Sequence, residues 1–381
     1  MNGIPPPEPQ SADVERKLRT MRCLVIGISV AVPLFISPIS FDSYLLPKRV
    51  LFQILTLALG GLWIGSTFRV GISRRDPLWV PLGFFLGWCL VSIVFGFHSL
   101  RQVRDFGGLL LAVVFWAISR NLWHNPRDRL NLVAWLHLPA FFIALYAVFQ
   151  DFGFDIVHPT GGVNDWRARI VSTMGNPNFV AGYLAILFPA LVARACHPRA
   201  SRKWFWAIGV PVVSLCVAVF VVTFCVGAFI ALVLALITCF FFPSVLRRFF
   251  ELRKGRLAVL GAIACGILAF YCTDNPYNGR EGSVLDQAQA SPQWRTGFAA
   301  RQFNWRTTRL MIEDHPITGI GFANFQAFSM TYQGRNYARQ DREHGSAIVK
   351  LVDQPHHQLL ETAAETGVPG VFFLLWLFVA I

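Results

Sequence analysis

Charge is scarce in this chain. Only 14% of its 381 residues are Asp, Glu, Lys or Arg, where soluble domains carry about 25%. That shortfall excludes an ordinary cytosolic enzyme and a disordered tail protein. Acidic residues are the scarcer, 21 against 34 basic ones. The net charge of +13 is broken into short clusters between apolar runs. Membrane topology accounts for such clusters better than a nucleic-acid stripe does, so no nucleic-acid partner is expected. The eight Cys include no Cys-x-x-Cys pair. Six of them (Cys23, Cys89, Cys216, Cys225, Cys239 and Cys265) lie inside apolar runs, as small buried hydrophobes do, and Cys196 and Cys272 lie at run ends. Neither a zinc site nor a disulfide framework follows. No internal repeat is visible. The first apolar run holds Pro33 and Pro38 and has no small-x-small cleavage site, so it is not read as a removed signal peptide.

Apolar mass is what the chain has in excess. Hydrophobic residues make up 54%, with 35 Phe and 12 Trp, so the bilayer is its main solvent. The expected fold is all-α: a polytopic helical membrane protein of about ten transmembrane helices. Apolar runs fall at 23–40, 49–67, 78–97, 106–120, 130–149, 178–195, 204–222, 225–243 and 256–272, and a further one starts at 368. The stretch 204–243 is long enough to cross twice, and the small polar cluster Thr223–Gly227 divides it. Val368–Ile381 is 14 residues, about 21 Å of helix against a hydrocarbon core of roughly 30 Å. It therefore reads as the truncated start of a further span, with a re-entrant helix as the alternative.

Lys and Arg set the orientation. With the N-terminus inside, the inner segments hold nineteen of them and the short outer loops six, namely Lys48, Arg49, Arg101, Arg104, Arg167 and Arg169. The expected organisation is a cytoplasmic tail at 1–22, a transmembrane bundle at 23–272, an outward loop at 273–367 and a further span from 368 to 381. That loop is the one soluble-looking stretch. A helix is expected over 294–314, ended by Pro316, with a turn at Ile317–Gly321 and a short helix at 322–333. Residues 334–350 are polar and read as mobile. A last helix runs from Pro355 to Glu365 and is broken by Gly367.

Four groups of residues could carry chemistry. His356 and His357 open that last helix, and a neutral imidazole can accept a proton at physiological pH. Arg301, Arg306 and Arg309 lie on the 294–314 helix, and guanidinium groups bind phosphate oxygens bidentately. Solvated loop histidines and headgroup anchoring are the plainer readings of both sets. The segment Arg167–Asn178 combines Arg167 and Arg169 with a Gly175-Asn176-Pro177-Asn178 turn leading into an apolar helix, where Asn178 is expected to cap. Asp42 with Pro47-Lys48 marks the outer end of the second span.

Taken together, these pieces resemble the O-antigen ligase and polymerase superfamily of bacterial envelope glycosyltransferases. Thr173–Gly182 resembles its Gly-Asn-Pro-Asn signature. Arg301 with Trp305, then Asp314-His315-Pro316-Ile317-Thr318-Gly319-Ile320-Gly321 and Asn324-Phe325, resembles its Arg-x3-Trp/Leu helix and its His-Pro-Leu-x-Gly-x-Gly turn. His356 with Gly367, and Glu365 between them, resembles its His-x10-Gly motif. The resemblance covers roughly 42–381. It implies an inverting transfer with no metal and no cofactor, from a glycan on polyprenyl diphosphate to a hydroxyl acceptor on lipid A core, a glycan or a protein. His356 would activate the acceptor and Arg301 would hold the diphosphate. Arg167, Arg169, Asn176, Asn178, Arg306, Arg309 and His357 would contact substrate, and the protein would lie in the bacterial inner membrane with its N-terminus cytoplasmic. Where the family commonly carries Ser-Arg, this chain has Cys225-Val226, and His-His replaces its His-Asn. A non-catalytic relative that binds lipid-linked glycan, or scaffolds polysaccharide assembly, is the second reading. A transporter is the third, disfavoured because His137 is almost the only ionisable residue inside a run.

The charge asymmetry yields a topology test. Single cysteines at Ser201 and Ser283, in a Cys-free background, should be labelled from outside at 283 and not at 201. The reverse pattern would invert the orientation.

Overall fold

The structure is a computed structural model, and it describes residues 12–40, 42–65, 76–97, 99–123, 126–155, 170–241, 247, 250–274, 283–284, 286, 293–339 and 352–380. Among these the secondary structure is helical throughout, with no strand. The helices are α1 Ala12–Leu34, α2 Leu45–Ile64, α3 Trp79–Phe95, α4 Leu100–Leu122, α5 Pro126–Asp151 and α6 Pro177–Cys196. They continue as α7 Arg202–Thr223, α8 Val226–Phe241, α9 Lys254–Cys272, α10 Gln293–Asp314, α11 Phe325–Arg339 and α12 Gln358–Ala380. Seven are long and apolar enough to cross a membrane, and Trp79–Phe95 and Val226–Ala235 are shorter apolar helices. Each of the ten expected runs overlaps a helix, and the chain is a polytopic helical membrane protein.

The division expected at Thr223–Gly227 is made by Phe224, which ends α7 in the left-handed region at φ 46°. The helix expected at 106–120 begins earlier, at Leu100. Its first two turns carry Arg101, Gln102, Arg104 and Asp105, which an apolar window does not register. Similarly α11 runs six residues past the expected end at 333, because Tyr332, Gln333 and Asn336 are buried on one face of it. Residues 340–350, the remainder of the stretch read as mobile, lie outside the described residues.

Two compact units are present. The first gathers α1, α2, the end of α4 from Phe115, and α5 to α9. Its core is built where α5, α6 and α7 pack together, on Ile143, Ala144, Val180, Leu184, Val219 and Val222. Small residues (Ala140, Ala144, Ala147, Ala181) let these backbones approach closely. Ser283 is buried here, its hydroxyl donating to Asp286 Oδ2 at 2.7 Å. Exposed Thr331, in the same expected outward loop, is therefore the better labelling position.

The second unit gathers α3, α4 up to Val114, α10, α11 and α12. The α10–α11 hairpin buries Leu310, Met311, Ile320, Phe325 and Tyr332 against Ala364 of α12. Asp314 fastens the hairpin. It accepts from the Tyr332 hydroxyl at 2.9 Å and from Arg335, and the Arg335 guanidinium holds its carboxyl below the usual carboxylate range. Aromatic side chains join α3 to the second half of α12, with Phe84 stacked on Phe373 at 5.6 Å.

α12 is not continuous. Gly367, at φ 72°, breaks it where the sequence indicates, and the apolar stretch from Val368 continues a helix that starts at Gln358. The break frees backbone groups, and each finds a partner. The Val368 amide, which would serve Ala364 in an unbroken helix, donates instead to Pro316 O at 2.9 Å. Residue 369 is proline and has no amide for Glu365. The Ala364 and Glu365 carbonyls accept from Ile320 N at 2.8 Å and Gly321 N at 3.0 Å. Glu365 O also accepts from Ser92 Oγ at 2.7 Å, and Thr366 O accepts from Trp88 Nε1 at 2.7 Å.

These contacts leave no room for side chains. A Cβ on Gly367 would lie 2.0 Å from Ile317 O, and one on Gly319, at φ 67°, 2.3 Å from the Glu365 carbonyl carbon. Gly367→Ala and Gly319→Ala should each cost roughly 1–3 kcal/mol or more, read as a lower apparent unfolding temperature in detergent. Gly334 on α11 has nothing within 4 Å, so Gly334→Ala should be neutral or mildly stabilising. Equal behaviour of all three would refute the backbone clasp.

Candidate functional site

The site assembles at the start of α12. Arg301 and Trp305 are one helical turn apart on α10 and so share a face. The Trp305 indole N–H donates to Pro355 O at 3.1 Å, and its ring meets His357 edge-on at 5.8 Å. Trp305 therefore fixes the turn that carries both histidines. His357 caps α12. Its carbonyl accepts from Glu361 N at 3.0 Å and its Nδ1 accepts from Leu360 N at 3.3 Å. His356 sits in the left-handed region at φ 57°, a conformation that costs a non-glycine residue roughly 1–3 kcal/mol. Its side chain is exposed and, among the described residues, makes no hydrogen bond. Desolvation against the turn, and secondarily the Arg301 charge, lower its pKa from the ordinary imidazole value. The ring is thus neutral at pH 7 and has a lone pair to offer, and the exposed Arg301 guanidinium contributes the neighbouring positive charge.

Arg306 and Arg309 of α10 are exposed on an adjoining face. Arg309 Nε pairs with Glu313 Oε1 at 2.7 Å. Arg306 and Arg309 line a shallow groove with Gln302, Trp305, Ile312 and Leu360. The predicted cationic cluster is therefore divided. Arg301 belongs to the surroundings of His356, and Arg306 and Arg309 belong to the groove.

Several polar residues of this unit have partners that the sequence does not announce. Glu365 is buried, and its Oε1 accepts from Phe325 N at 3.0 Å, so the carboxylate caps the start of α11. Asn324 Nδ2 donates to Phe97 O at 2.6 Å, and Asn324 Oδ1 accepts from Ser99 Oγ at 2.8 Å. Trp88 and Ser92 lie in an apolar run, and nothing local in the sequence pairs them with a break some 270 residues later. An intervening Glu in the His-x10-Gly motif was the only signal for Glu365.

The Gly-Asn-Pro-Asn turn lies in the first unit. Ser172, at φ 45°, is held at both ends, its amide donating to Gln150 Oε1 at 2.6 Å and its hydroxyl to Ile143 O at 2.7 Å. Gln150 is braced in turn by Asp155, which also accepts from the Tyr146 hydroxyl at 2.5 Å. Lys48 donates to Thr173 O at 2.5 Å and Phe35 O at 2.6 Å, so the Pro47-Lys48 pair secures this turn as well as marking a span end. Gly175, at φ 74°, passes so close to Tyr44 that a Cβ would lie 2.7 Å from its ring. The expectation that Asn178 caps α6 is corrected. Asn176 has the extended cap geometry, Pro177 occupies the first turn, and Asn176 Oδ1 accepts from Asn178 N at 2.8 Å. Arg167 and Arg169 lie outside the described residues. Val226, in the family's arginine position, is the exposed first residue of α8.

No curated protein and no solved structure matches the chain. Residues 211–375 match the family model for O-antigen ligase. That stretch contains Arg301, Trp305, the His315–Gly321 turn, His356 and Gly367, and over it the chain is similar to the O-antigen ligase family.

Proposed function

We infer that this protein is a membrane glycan transferase of the O-antigen ligase type, and that it moves a glycan from polyprenyl diphosphate to a hydroxyl acceptor on the outer face of the bacterial inner membrane. One observation carries the reading: a neutral, exposed imidazole, held in a strained backbone conformation beside a guanidinium, within the matched family stretch. The split of basic residues supports the orientation. His356 takes the acceptor hydroxyl proton as the acceptor oxygen attacks the anomeric carbon from the face opposite the diphosphate. The bond from that carbon to the diphosphate oxygen breaks and its electron pair leaves with polyprenyl diphosphate. A single displacement inverts the anomeric centre. Arg301 balances the negative charge that grows on the leaving group, most effectively where water is excluded. His357, engaged as a helix cap, and Trp305 position this machinery.

A second reading has its own observation. Val226 puts an apolar side chain where the family supplies an arginine, which favours a non-catalytic relative that binds lipid-linked glycan.

Purified protein in liposomes, supplied with a polyprenyl-diphosphate glycan and an acceptor, decides between them. His356→Ala should lower transfer by about 10²–10⁴ with donor binding retained, whereas Arg301→Ala should weaken both. Turnover should persist when divalent ions are chelated. His357→Ala should chiefly cost stability, about 0.5–2 kcal/mol as for other lost caps. Donor binding without turnover, together with turnover gained by Val226→Arg, would establish the second reading.

The pH profile is a separate check. His356 is depressed below 6.5, so its basic form predominates at neutral pH and above. Transfer should be level near pH 7 and fall roughly tenfold per unit as pH drops through a value below 6.5. A profile whose acid limb lies above pH 7 would remove His356 as the base.

A further inference from the structure

We propose that the groove along α10 is a saccharide subsite selective for a negatively charged sugar, and that it receives the acceptor. The word acceptor rests on the transferase reading; the selectivity does not. The groove has a volume of about 340 Å³, at the small end of the roughly 300–1,000 Å³ usual for ligand clefts. Its shape is made by Trp305, whose indole is fixed at two points, through its N–H to Pro355 O and through its ring against His357. An indole that cannot turn presents a rigid apolar face, and the C–H face of a pyranose ring lies flat on such a surface at little entropic cost.

The groove's polar groups set the charge of the occupant. Gln302 offers an amide with both donor and acceptor capacity, which suits sugar hydroxyls. Arg306 is exposed and has no ion pair among the described residues. Arg309 is oriented by Glu313 at 2.7 Å, so its guanidinium is pre-positioned. Among the described residues the groove lining holds no carboxylate, and because Glu313 offsets Arg309, Arg306 chiefly sets the charge of the occupant. Ile312 and Leu360 close the sides with apolar surface. Leu360 is on the first turn of α12, and its amide bonds to His357. A sugar on Trp305 therefore lies beside the histidine turn. A donor diphosphate held by Arg301 and a saccharide held in the groove would meet at the histidine turn, which two-substrate transfer requires.

The test uses the full chain in detergent micelles and calorimetric titration with a glucuronate-containing disaccharide and its carboxyl-reduced neutral counterpart. The charged sugar should bind about tenfold more tightly, as expected for a charge-assisted contact. Arg306→Gln should bring it to the neutral sugar's affinity, and Arg306→Lys should keep part of the preference. Equimolar inorganic diphosphate should leave the saccharide bound. Equal affinities, no binding of either sugar, or an unchanged preference in Arg306→Gln would overturn the proposal. Displacement by diphosphate would assign the groove to the donor and overturn it too. The two readings fail separately. A measured preference in a protein without turnover would leave the groove standing and remove the transferase, whereas turnover lost in His356→Ala without any preference would do the reverse.

Discussion

Breaking a helix that is long and apolar enough to cross a membrane exposes carbonyls to a medium that cannot hydrogen-bond them. Each unsatisfied group there costs several kcal/mol. The second unit is organised around meeting that cost at Gly367. α3 supplies Trp88 and Ser92, and the turn after α10 supplies the amides of Ile320 and Gly321 and the carbonyl of Pro316. Because these partners are backbone groups at close approach, both sides of the contact must lack side chains. Gly96 shows the same constraint, since a Cβ there would lie 2.6 Å from Gly321 Cα. The glycine-rich motif and the glycine that ends the His-x10-Gly motif are thus two halves of one contact.

That contact explains how the histidine turn is placed. Residues 358–366 are held along their length by the α10–α11 hairpin, and Glu365 reaches from them to cap α11. The turn at 355–357 is fixed from the other side by Trp305. His356 is left as the residue that absorbs the geometry, in a left-handed conformation that its neighbours over-determine. A strained residue with an exposed side chain, at the junction of two fixed elements, is suited to a task that needs orientation more than stability.

The membrane-length helices were legible because a run of apolar residues announces each, α10 because apolar residues recur at three- and four-residue spacings, and the breaks because of glycine, proline or small polar clusters. The start of α4 and the end of α11 were not, since both are amphipathic and lack a long apolar run. For the candidate site, Arg301, Trp305 and His356 could be picked out because family motifs and residue chemistry coincide on them. The division of the three arginines could not. Helical spacing shows that Arg306 departs from the Arg301 face, but it does not show that Arg309 is paired with Glu313 or that Leu360 closes a groove. The partners of Gly367 and the braces on Ser172 were invisible for a simpler reason: Trp88, Ser92, Gln150 and Tyr146 are ordinary residues until distant segments meet them.

The pairing of His356 with Arg301 has an electrostatic consequence for the proposed reaction. With the site empty, the guanidinium repels a proton on the imidazole and helps to keep it neutral. A diphosphate bound to Arg301 would offset that charge and bring its own negative charge near the ring. The same imidazole then becomes a stronger base, because its protonated form is no longer opposed. Basicity would rise only when the donor is in place, and a proton would be drawn from the acceptor hydroxyl when there is a glycan to receive it. The leaving group's growing charge strengthens the effect as the bond breaks, so proton transfer and departure of the diphosphate reinforce each other through one arginine.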